Sequence, residues 1–230
     1  MKKYTIENNT IIFECNFNES LNEYYDVING LEILIFPIAS EFAQIVDKLP
    51  DTLTHLTFGW KFNQDVILSN SFLTHLFFGH RFNQNMILPN SLTHLTVGFY
   101  FNKSLNLPNS LTHLIFGTCF DKIVILPNSL THLTVGYYFN QNIILPNSLT
   151  NLILYNVNKG RMEFPENLLS LSLYNADIET IEKLPNGIRE LIIISFCGLN
   201  KKFRLENLPN SIEKIIICDE SYDRDWIIKP

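Results

Sequence analysis

One pattern of apolar and polar positions recurs along most of this chain. Each unit starts at the first residue of a Leu-Pro pair, in which Ser69 replaces the proline once and Phe164 replaces the leucine once. The units begin at Leu49, Leu68, Leu88, Leu107, Leu126, Leu145, Phe164, Leu184 and Leu208, in steps of 19, 20, 19, 19, 19, 19, 20 and 24 residues. A period of about 20 residues indicates a solenoid, in which each unit buries its apolar face against its neighbours.

Each unit contains the signal for one short β-strand. In the fifth unit the apolar positions are Leu130, Leu133 and Val135, and the step of two between the last pair is the period of a strand. His132 and Thr134 then face away from the core. Because 19 residues leave no room for a helix, we expect a parallel sheet on one face and short turns or 3₁₀ segments on the other. The pattern predicts a β-rich solenoid of about nine to ten coils.

A glycine, an aromatic residue and a short polar residue follow each strand in the five most regular units. We expect the glycines to supply backbone conformations that other residues avoid; they are Gly59, Gly79, Gly98, Gly117 and Gly136. We expect the aromatic residues to stack inside the solenoid; they are Phe62, Phe82, Phe101, Phe120 and Phe139. We expect the polar residues to cap backbone groups in the turn; they are Asn63, Asn83, Asn102, Asp121 and Asn140.

Two adjacent apolar positions close each unit, and the units distinguish them. The first position is apolar in all five regular units, with Val66, Met86, Leu105, Val124 and Ile143. The second holds Ile67, Ile87, Asn106, Ile125 and Ile144. Since one unit places an asparagine at the second position, we expect the first to be the core position.

The repeats leave the two ends of the chain as caps of a single domain, residues 1–230. We interpret residues 1–30 as an N-terminal cap, residues 31–217 as repeats and residues 218–230 as a C-terminal cap. The N-terminal cap contains two short strand signals, at Tyr4–Ile6 and at residues 11–13. Caps are expected because a solenoid otherwise exposes its apolar core at both ends.

The repeated block LPNSLTHL and the longer motif LPNSLTHLTxGxxFNQxI are similar to the FNIP repeat of social amoebae and of giant viruses that infect amoebae. The similarity is close over about residues 49–145 and looser over about residues 31–217. The LxxLxL frame also resembles a very short leucine-rich repeat. The resemblance implies a leucine-rich-repeat-like solenoid that binds other proteins.

Many FNIP-repeat proteins also carry an N-terminal F-box, so the resemblance implies substrate recognition for a ubiquitin ligase. Residues 1–48 differ from that pattern, because they carry strand signals and a degenerate repeat instead of helices. The partner expected from the resemblance is therefore a protein of unknown identity, either a host protein or a ubiquitin-ligase component.

Charge and composition narrow the function classes. The net charge of −6 and the isoelectric point near 5.5 predict no nucleic-acid partner. No apolar run reaches the ~18 residues of a membrane span, and the opening MKKYTIENNTIIFEC lacks the apolar segment of a secretory signal. The four cysteines form no close pair, which favours reduced thiols. We expect a cytoplasmic protein, in the host cytoplasm if the chain is viral.

Catalytic motifs are missing from the sequence. It contains no GxSxG, P-loop, HExxH or glycine-rich nucleotide loop. Serine and histidine occur in each regular unit because the unit itself is repeated, so a Ser–His pair carries no weight as a triad. We predict a protein that is not an enzyme and that uses no cofactor.

A histidine recurs at the same outward strand position in all five regular units. Neighbouring strands lie ~4.8 Å apart, so the sequence predicts a column formed by His55, His75, His94, His113 and His132. Converging imidazoles would make a metal- or ligand-binding surface, but no carboxylate or thiol of the repeat completes such a site. The other interpretation is a solvated or stacked ladder. In either arrangement, neighbouring like charges should depress the histidine pKa values.

The neighbouring outward position carries threonine in three units and an apolar residue in two. A flat threonine array would favour ice binding, but this one is interrupted; the five residues are Thr57, Phe77, Thr96, Ile115 and Thr134. Toward the C-terminus the histidine position holds Asn151, Ser170, Glu190 and Lys214. We therefore expect Glu190 and Lys214 to pair on adjacent strands.

The two residues after each glycine vary most between units that are otherwise nearly identical. They are the pairs Trp60-Lys61, His80-Arg81, Phe99-Tyr100, Thr118-Cys119 and Tyr137-Tyr138. We expect them on the loop that leaves each strand, at the lip of a concave sheet, where solenoids carry contact residues. Because Trp, Tyr and Arg dominate binding hot spots, we predict that the aromatic and basic pairs bind a partner together with the histidine column. The alternative is neutral drift on an exposed loop.

Overall fold

A computed structural model describes residues 3–68, 72–156, 162–174, 180, 183–195, 208–219 and 224–228. Within those residues the chain forms one sheet of 13 strands whose spatial order is their sequence order. Strands β2 to β12 run parallel, and β1 and β13 add antiparallel edges. The predicted β-rich, leucine-rich-repeat-like solenoid with a parallel sheet on one face is confirmed.

The strands are short, and the structure gives each regular unit one of them. In chain order β1 to β7 are Tyr4–Glu7, Thr10–Phe13, Ile33–Ile35, His55–Thr57, His75–Phe77, His94–Thr96 and His113–Ile115. The remaining strands, β8 to β13, are His132–Val135, Asn151–Leu154, Ser170–Tyr174, Glu190–Ser195, Lys214–Asp219 and Arg224–Ile228. A 3₁₀ turn at Leu21–Tyr24 leads into the short helix α1, Tyr25–Ile28. No helix of the described chain is long and apolar enough to cross a membrane.

The register of the sheet places equivalent residues of successive units side by side. His55 pairs with His75 and Leu56 with Leu76, and the same offset continues along the regular units. The central leucine of each strand is buried, and the histidine before it is only half-buried. This alternation puts one row of side chains into the core and leaves two rows on the outer face of the sheet.

The interior contains the predicted column of phenylalanine rings. Ring centroids of successive members lie 5.8–6.2 Å apart from Phe42 through Phe62 to Phe139. A second column passes through Phe36, Phe58 and Phe78, and its rings lie 3.7–4.0 Å from those of the first column in the same coil. All of these rings are buried. The two columns fill the space that a helix fills in longer repeats.

The five repeated glycines make close contacts between coils and do not adopt unusual backbone angles. Among the described glycines only Gly30 has a positive φ, at 87°. A Cβ on Gly98 would instead lie 2.1 Å from the carbonyl oxygen of Gly79, and one on Gly117 would lie 2.0 Å from that of Gly98. The predicted conformational role was therefore wrong. Glycine is required because neighbouring backbones approach too closely for a side chain.

The polar residue after each phenylalanine caps the next coil and not its own turn. The Asn83 backbone N–H donates to Asn63 Oδ1 at 2.8 Å, and the Asn102 N–H donates to Asn83 Oδ1 at 2.9 Å. Asp121 takes the place of asparagine and keeps this hydrogen bond, since its Oδ1 accepts from the Asn140 N–H at 2.9 Å. These bonds form a ladder that holds consecutive coils in register.

The same ladders extend into the segment interpreted as the N-terminal cap. The two predicted strands form a hairpin from β1 and β2, with Asn8 and Asn9 at positive φ in its turn. Beyond it, the Phe17 ring stacks on Phe42 at 5.9 Å, and Asn18 Oδ1 accepts from the Ala43 N–H at 3.0 Å. The sequence carries the signal for this coil, because Phe17-Asn18 follows Phe13 at the spacing that Phe62-Asn63 has from Phe58.

The C-terminal end of the sheet is covered by an antiparallel strand. Strand β13 pairs with β12 from Ile215↔Ile228 to Asp219↔Arg224. Cys218 and Asp219 of the segment interpreted as the C-terminal cap belong to β12, and residues 220–223 and 229–230 lie outside the described residues. The pairing of β13 reverses the strand direction at this edge, as β1 does at the other.

Candidate functional site

The five histidines form one continuous stack on the outer face of the sheet. Neighbouring imidazole centroids lie 4.1 Å apart, and their planes differ by only 12–14°. In every unit Nδ1 lies 2.8–2.9 Å from Oγ1 of the threonine before it in sequence. The rings therefore share one orientation from His55 to His132. We call this row the histidine column.

The threonine contacts orient the rings and are compatible with either neutral tautomer. Thr93 Oγ1 lies 3.1 Å from the Thr74 carbonyl oxygen and 2.8 Å from His94 Nδ1. Because that carbonyl oxygen already accepts from the Thr93 and His94 backbone N–H groups, the single hydroxyl proton has two acceptors within reach. The same contacts recur at the neighbouring units. The threonines thus hold every ring with Nδ1 against the preceding side chain.

The middle of the column is held neutral. Burial, and then the neighbouring histidines His75 and His113, lower the pKa of His94 from 6.5 to about 4. Burial is also the main reason that the pKa values of His75 and His113 are lowered. The direction agrees with the sequence-based expectation, but its main cause does not. Loss of water around the rings outweighs the repulsion between them.

The depressed pKa values predict acid-sensitive stability. The unfolded chain binds protons at these histidines near pH 6.5, whereas the folded chain resists them, so stability should be lost as the pH falls from about 6.5 toward about 4. We expect the free energy of unfolding to fall by roughly 1–2 kcal/mol over that range, after allowing for solvent screening. Urea unfolding at several pH values measures this loss.

A glutamine variant provides the control for this pH dependence. His94→Gln keeps a side chain of similar polarity without a titrating group, so its stability should depend less on pH than that of the wild type. Carboxylates also titrate in this range, but they contribute equally to the pH dependence of both proteins. An NMR titration in which His94 titrates at or above the reference value of ~6.5 would contradict the prediction.

The ring orientation works against metal chelation by the column. A tetrahedral zinc site needs imidazole lone pairs that converge on one ion at ~2.0 Å. Ring planes only 12–14° apart, with equivalent edges aligned, direct neighbouring lone pairs along nearly parallel lines. The part of the chain that the structure describes contains no group of three or more His, Cys, Asp or Glu residues able to hold a metal ion.

The spacing of the stacked rings shows that the sheet lies on the concave side. Hydrogen-bonded strands are ~4.8 Å apart. The histidine rings outside the sheet are 4.1 Å apart, whereas the phenylalanine rings of the inner column are 5.8–6.2 Å apart. The coils therefore converge on the histidine side and spread on the opposite side.

The variable residues after the glycines form an aromatic cluster beside this concave face. The His80 ring stacks on Phe99 at 4.7 Å, and Tyr100 meets His80 edge-on at 5.1 Å. Trp60 lies 6.0 Å from His80 and is 50% exposed. These contacts cross three coils and make one surface from side chains that are separate in sequence. We call the predicted pairs from Trp60 to Tyr138 the lip.

The remaining predicted lip residues differ from one another in exposure and in contacts. Tyr137 and Tyr138 contact each other edge-on at 5.3 Å and are both exposed. Between them and the aromatic cluster lie Thr118 and Cys119, which are half-buried. Arg81 is exposed. Lys61 is exposed too, but its Nζ contacts the Glu41 carboxylate at 2.6 Å, a surface pair worth at most ~1 kcal/mol.

Two aromatic residues that the sequence reasoning did not select extend this pattern. Tyr155 follows β9 at the place that glycine takes in the regular units, and its ring stacks on Tyr174 at 4.4 Å. The repeated Leu-Tyr-Asn triplet that replaces the glycine in these two units was the available signal. The predicted pair of Lys214 and Glu190 is present in the same half of the sheet.

The architecture and the surfaces together define a repeat solenoid of the leucine-rich-repeat class, with an open concave sheet. Residues 82–119 and 120–156 each match the model of the FNIP repeat family, so the chain contains FNIP repeats. A crystal structure described as that of CroV588, a novel circular leucine-rich-repeat protein, is similar to 94% of this chain with 30% sequence identity and a TM-score of 0.63. The chain spans 44% of the length of CroV588. A search of curated proteins finds no match.

Proposed function

We propose that the protein is a non-catalytic scaffold that binds another protein on its concave face. The repeat solenoid fold supports a protein-interaction role. The observation that carries the proposal is the aromatic cluster of Trp60, His80, Phe99 and Tyr100, whose rings contact one another across three coils at the edge of the sheet. Trp60 and Tyr100 are exposed, and His80 and Phe99 are half-buried. Aromatic rings that support one another in this way are typical of binding hot spots.

The chemistry of the concave face favours an uncharged partner segment. From β4 to β8 the two outward rows consist of the histidine column and the row that contains Thr57 and Phe77, and neither row carries a lysine, arginine or carboxylate. Since the histidine pKa values are depressed in the middle of the column, this face is neutral there at neutral pH, although the chain has a net charge of −6. The ring nitrogens of the histidine column favour a segment rich in side chains that can both donate and accept hydrogen bonds, such as Ser, Thr, Asn or Tyr.

Alanine substitutions at the lip test the proposal. We expect Trp60→Ala, Phe99→Ala and Tyr138→Ala each to weaken partner binding at least about tenfold, because Trp60 and Tyr138 are exposed aromatic anchors and the half-buried Phe99 ring supports His80. The partner is first captured from cell lysate with the wild-type protein, and affinities are then measured by calorimetry. Circular dichroism should show an unchanged fold in all three variants.

Phe72→Ala is the matched control for these substitutions. Phe72 is also an exposed aromatic residue, at 61% exposure. It lies before strand β5, whereas each lip residue lies after the strand of its unit. Its replacement should leave the affinity unchanged. If the three lip variants bind as well as the wild type does, the lip has no role in recognition.

A more specific role, substrate recognition for a ubiquitin ligase in the cytoplasm, is supported by the FNIP resemblance alone. Residues 3–48 form three strands and one short helical segment, which is not the helical arrangement of an F-box. The captured proteins provide the test, since ligase scaffold subunits among them would support this role. Capture of a partner without such subunits would leave a stand-alone binding protein.

A further inference from the structure

The lip alternates between exposed aromatic rings and half-buried positions. Exposed rings occur in every second coil, with 45–59% exposure, at Trp60, Tyr100, Tyr137 and Tyr138. In the coils between them the first lip residue, His80 or Thr118, is half-buried. The lip therefore has three aromatic walls and two depressions between them. We call the depression at His80 the first slot and the depression at Thr118 the second slot.

Backbone hydrogen bonds fix the spacing of the slots. The Arg81 N–H donates to the Trp60 carbonyl oxygen at 3.0 Å. The Tyr100 N–H donates to the His80 carbonyl oxygen at 3.1 Å, and equivalent bonds continue as far as Tyr138. This ladder continues the spacing of the strands, which is ~4.8 Å. The two slots, which are two coils apart, are therefore separated by roughly 9.6 Å.

The surfaces of the first slot are aromatic. The Trp60 ring, in the preceding coil, lies 6.0 Å from His80, and Tyr100, in the following coil, meets His80 edge-on at 5.1 Å. Phe99 stacks on the same imidazole at 4.7 Å. A slot with such walls fits a flat apolar ring. Proline supplies one, and its ring has no side-chain freedom to lose on binding.

We propose that the lip binds a proline-rich segment of the partner protein in the polyproline II conformation, with one proline in each slot. A polyproline II helix has three residues per turn and rises ~3.1 Å per residue. Prolines three residues apart are thus ~9.3 Å apart, which matches the separation of the slots. This inference rests on the proposed function, because it names the chemistry of the partner that the same surface binds.

The polar groups of the lip suit this conformation. A polyproline II segment has no internal hydrogen bonds, so its carbonyl oxygens are free to accept. The indole N–H of Trp60 and the hydroxyls of Tyr100 and Tyr138 can donate to them. Aromatic-lined surfaces are a general means of recognising proline-rich segments, because the helix is already formed before it binds.

One charged residue of the lip specifies the segment further. The Lys61 ammonium contacts the Glu41 carboxylate. Arg81 is exposed, and no carboxylate of the described residues pairs with it. Because Arg81 follows His80 in the coil of the first slot, an acidic residue beside the proline in that slot complements its charge. The expected segment contains Pro-x-x-Pro and an acidic residue near one proline.

Synthetic proline peptides test this assignment on the full chain. Decaproline is about 31 Å long and covers both slots, whereas triproline fills only one, since it has no two prolines three residues apart. Fluorescence anisotropy of labelled decaproline should give a dissociation constant of roughly 10–500 µM. Triproline should bind at least about tenfold more weakly, and decaserine should not bind at about 1 mM.

Variants locate the bound peptide. Trp60→Ala and Tyr100→Ala should each weaken decaproline binding at least about tenfold, and Phe72→Ala, outside the lip, should leave it unchanged. Glutamate as the third residue of decaproline should strengthen binding about threefold, and Arg81→Ser should abolish that gain. In Trp226→Phe, Trp60 is the only tryptophan, so bound decaproline should shift the emission to shorter wavelength.

Three results would overturn this inference: decaproline that does not bind at about 1 mM, equal affinities of decaproline and triproline, or binding that Trp60→Ala leaves unchanged. The captured partner separates this failure from failure of the proposed function. If Trp60→Ala and Tyr138→Ala weaken capture while decaproline does not bind, the scaffold role stands and the partner segment is not proline-rich. If both variants capture the partner as the wild type does, both proposals fail.

Discussion

Replacing Phe101 with alanine should destabilise the protein by about 3–5 kcal/mol. The Phe101 ring is fully buried, at 0% exposure, and lies between Phe82 at 6.1 Å and Phe120 at 6.2 Å. Its removal opens a cavity in the column that joins three coils. Because a solenoid is stabilised by contacts between neighbouring units, this cavity also weakens the coupling of the two halves of the chain. Urea unfolding monitored by circular dichroism measures both effects.

The control for this prediction is Phe72→Ala, which removes the same ring from an exposed site. Its cost should be below about 0.5 kcal/mol, as for most surface substitutions. The unfolding transition of Phe101→Ala should also be broader than that of the control, since its two halves unfold less cooperatively. Equal stabilities of the two variants would show that the inner column is not required for the fold.

Replacing Gly98 with alanine should cost about 3 kcal/mol or more. The added Cβ would lie 2.1 Å from the Gly79 carbonyl oxygen, 2.5 Å from the Gly79 carbonyl carbon and 2.9 Å from the His80 Cα. All three are backbone atoms, so no side-chain rotation can relieve the contact. The two coils must separate, which weakens the hydrogen bonds between β5 and β6.

The sign of this effect distinguishes two roles for the glycine. Alanine at a position with ordinary backbone angles usually stabilises a protein by about 0.4–1 kcal/mol, because it restricts the unfolded chain. A gain in the midpoint of urea unfolding for Gly98→Ala would therefore contradict the close-approach role. Thr118→Ala, a loop substitution next to Gly117, should change the stability by less than about 0.5 kcal/mol.

Much of the fold follows from the leucine spacing. The period of two between Leu133 and Val135 identifies the strand, and the shared register of the units predicts that the strands pair in parallel. The phenylalanine column was predictable for the same reason, since a residue repeated every coil must stack on its own copies. Asn106 likewise indicated which of two adjacent apolar positions is exposed, because an asparagine is not tolerated in the core.

The functions of the glycines and asparagines were not predictable in the same way. Gly98 could have served a backbone angle or a close approach, and only the distance between coils decides between them. Asn83 could have bonded within its own turn or to the next coil, and both are compatible with its place in the unit. Phe17-Asn18 was overlooked because the units around it lack the Leu-Pro pair.

The candidate surface, too, was predicted from the sequence only in part. The variability of the residues after each glycine identified the lip, but the contacts between His80 and Phe99, and the addition of Tyr155 and Tyr174, required coordinates. The sequence placed the histidines in one row. The common orientation of the rings depends on the contact between His94 Nδ1 and the Thr93 hydroxyl, which only the folded chain shows.

By itself the sequence determined the repeat, the strand in each unit, and which side chains face the core. These features depend on spacing along the chain, and spacing is what a sequence records. Only the tertiary structure decided how closely the coils stack on each side of the sheet. That difference makes the histidine face concave and excludes a Cβ at Gly98, because curvature is a property of neighbouring coils together and of no single unit.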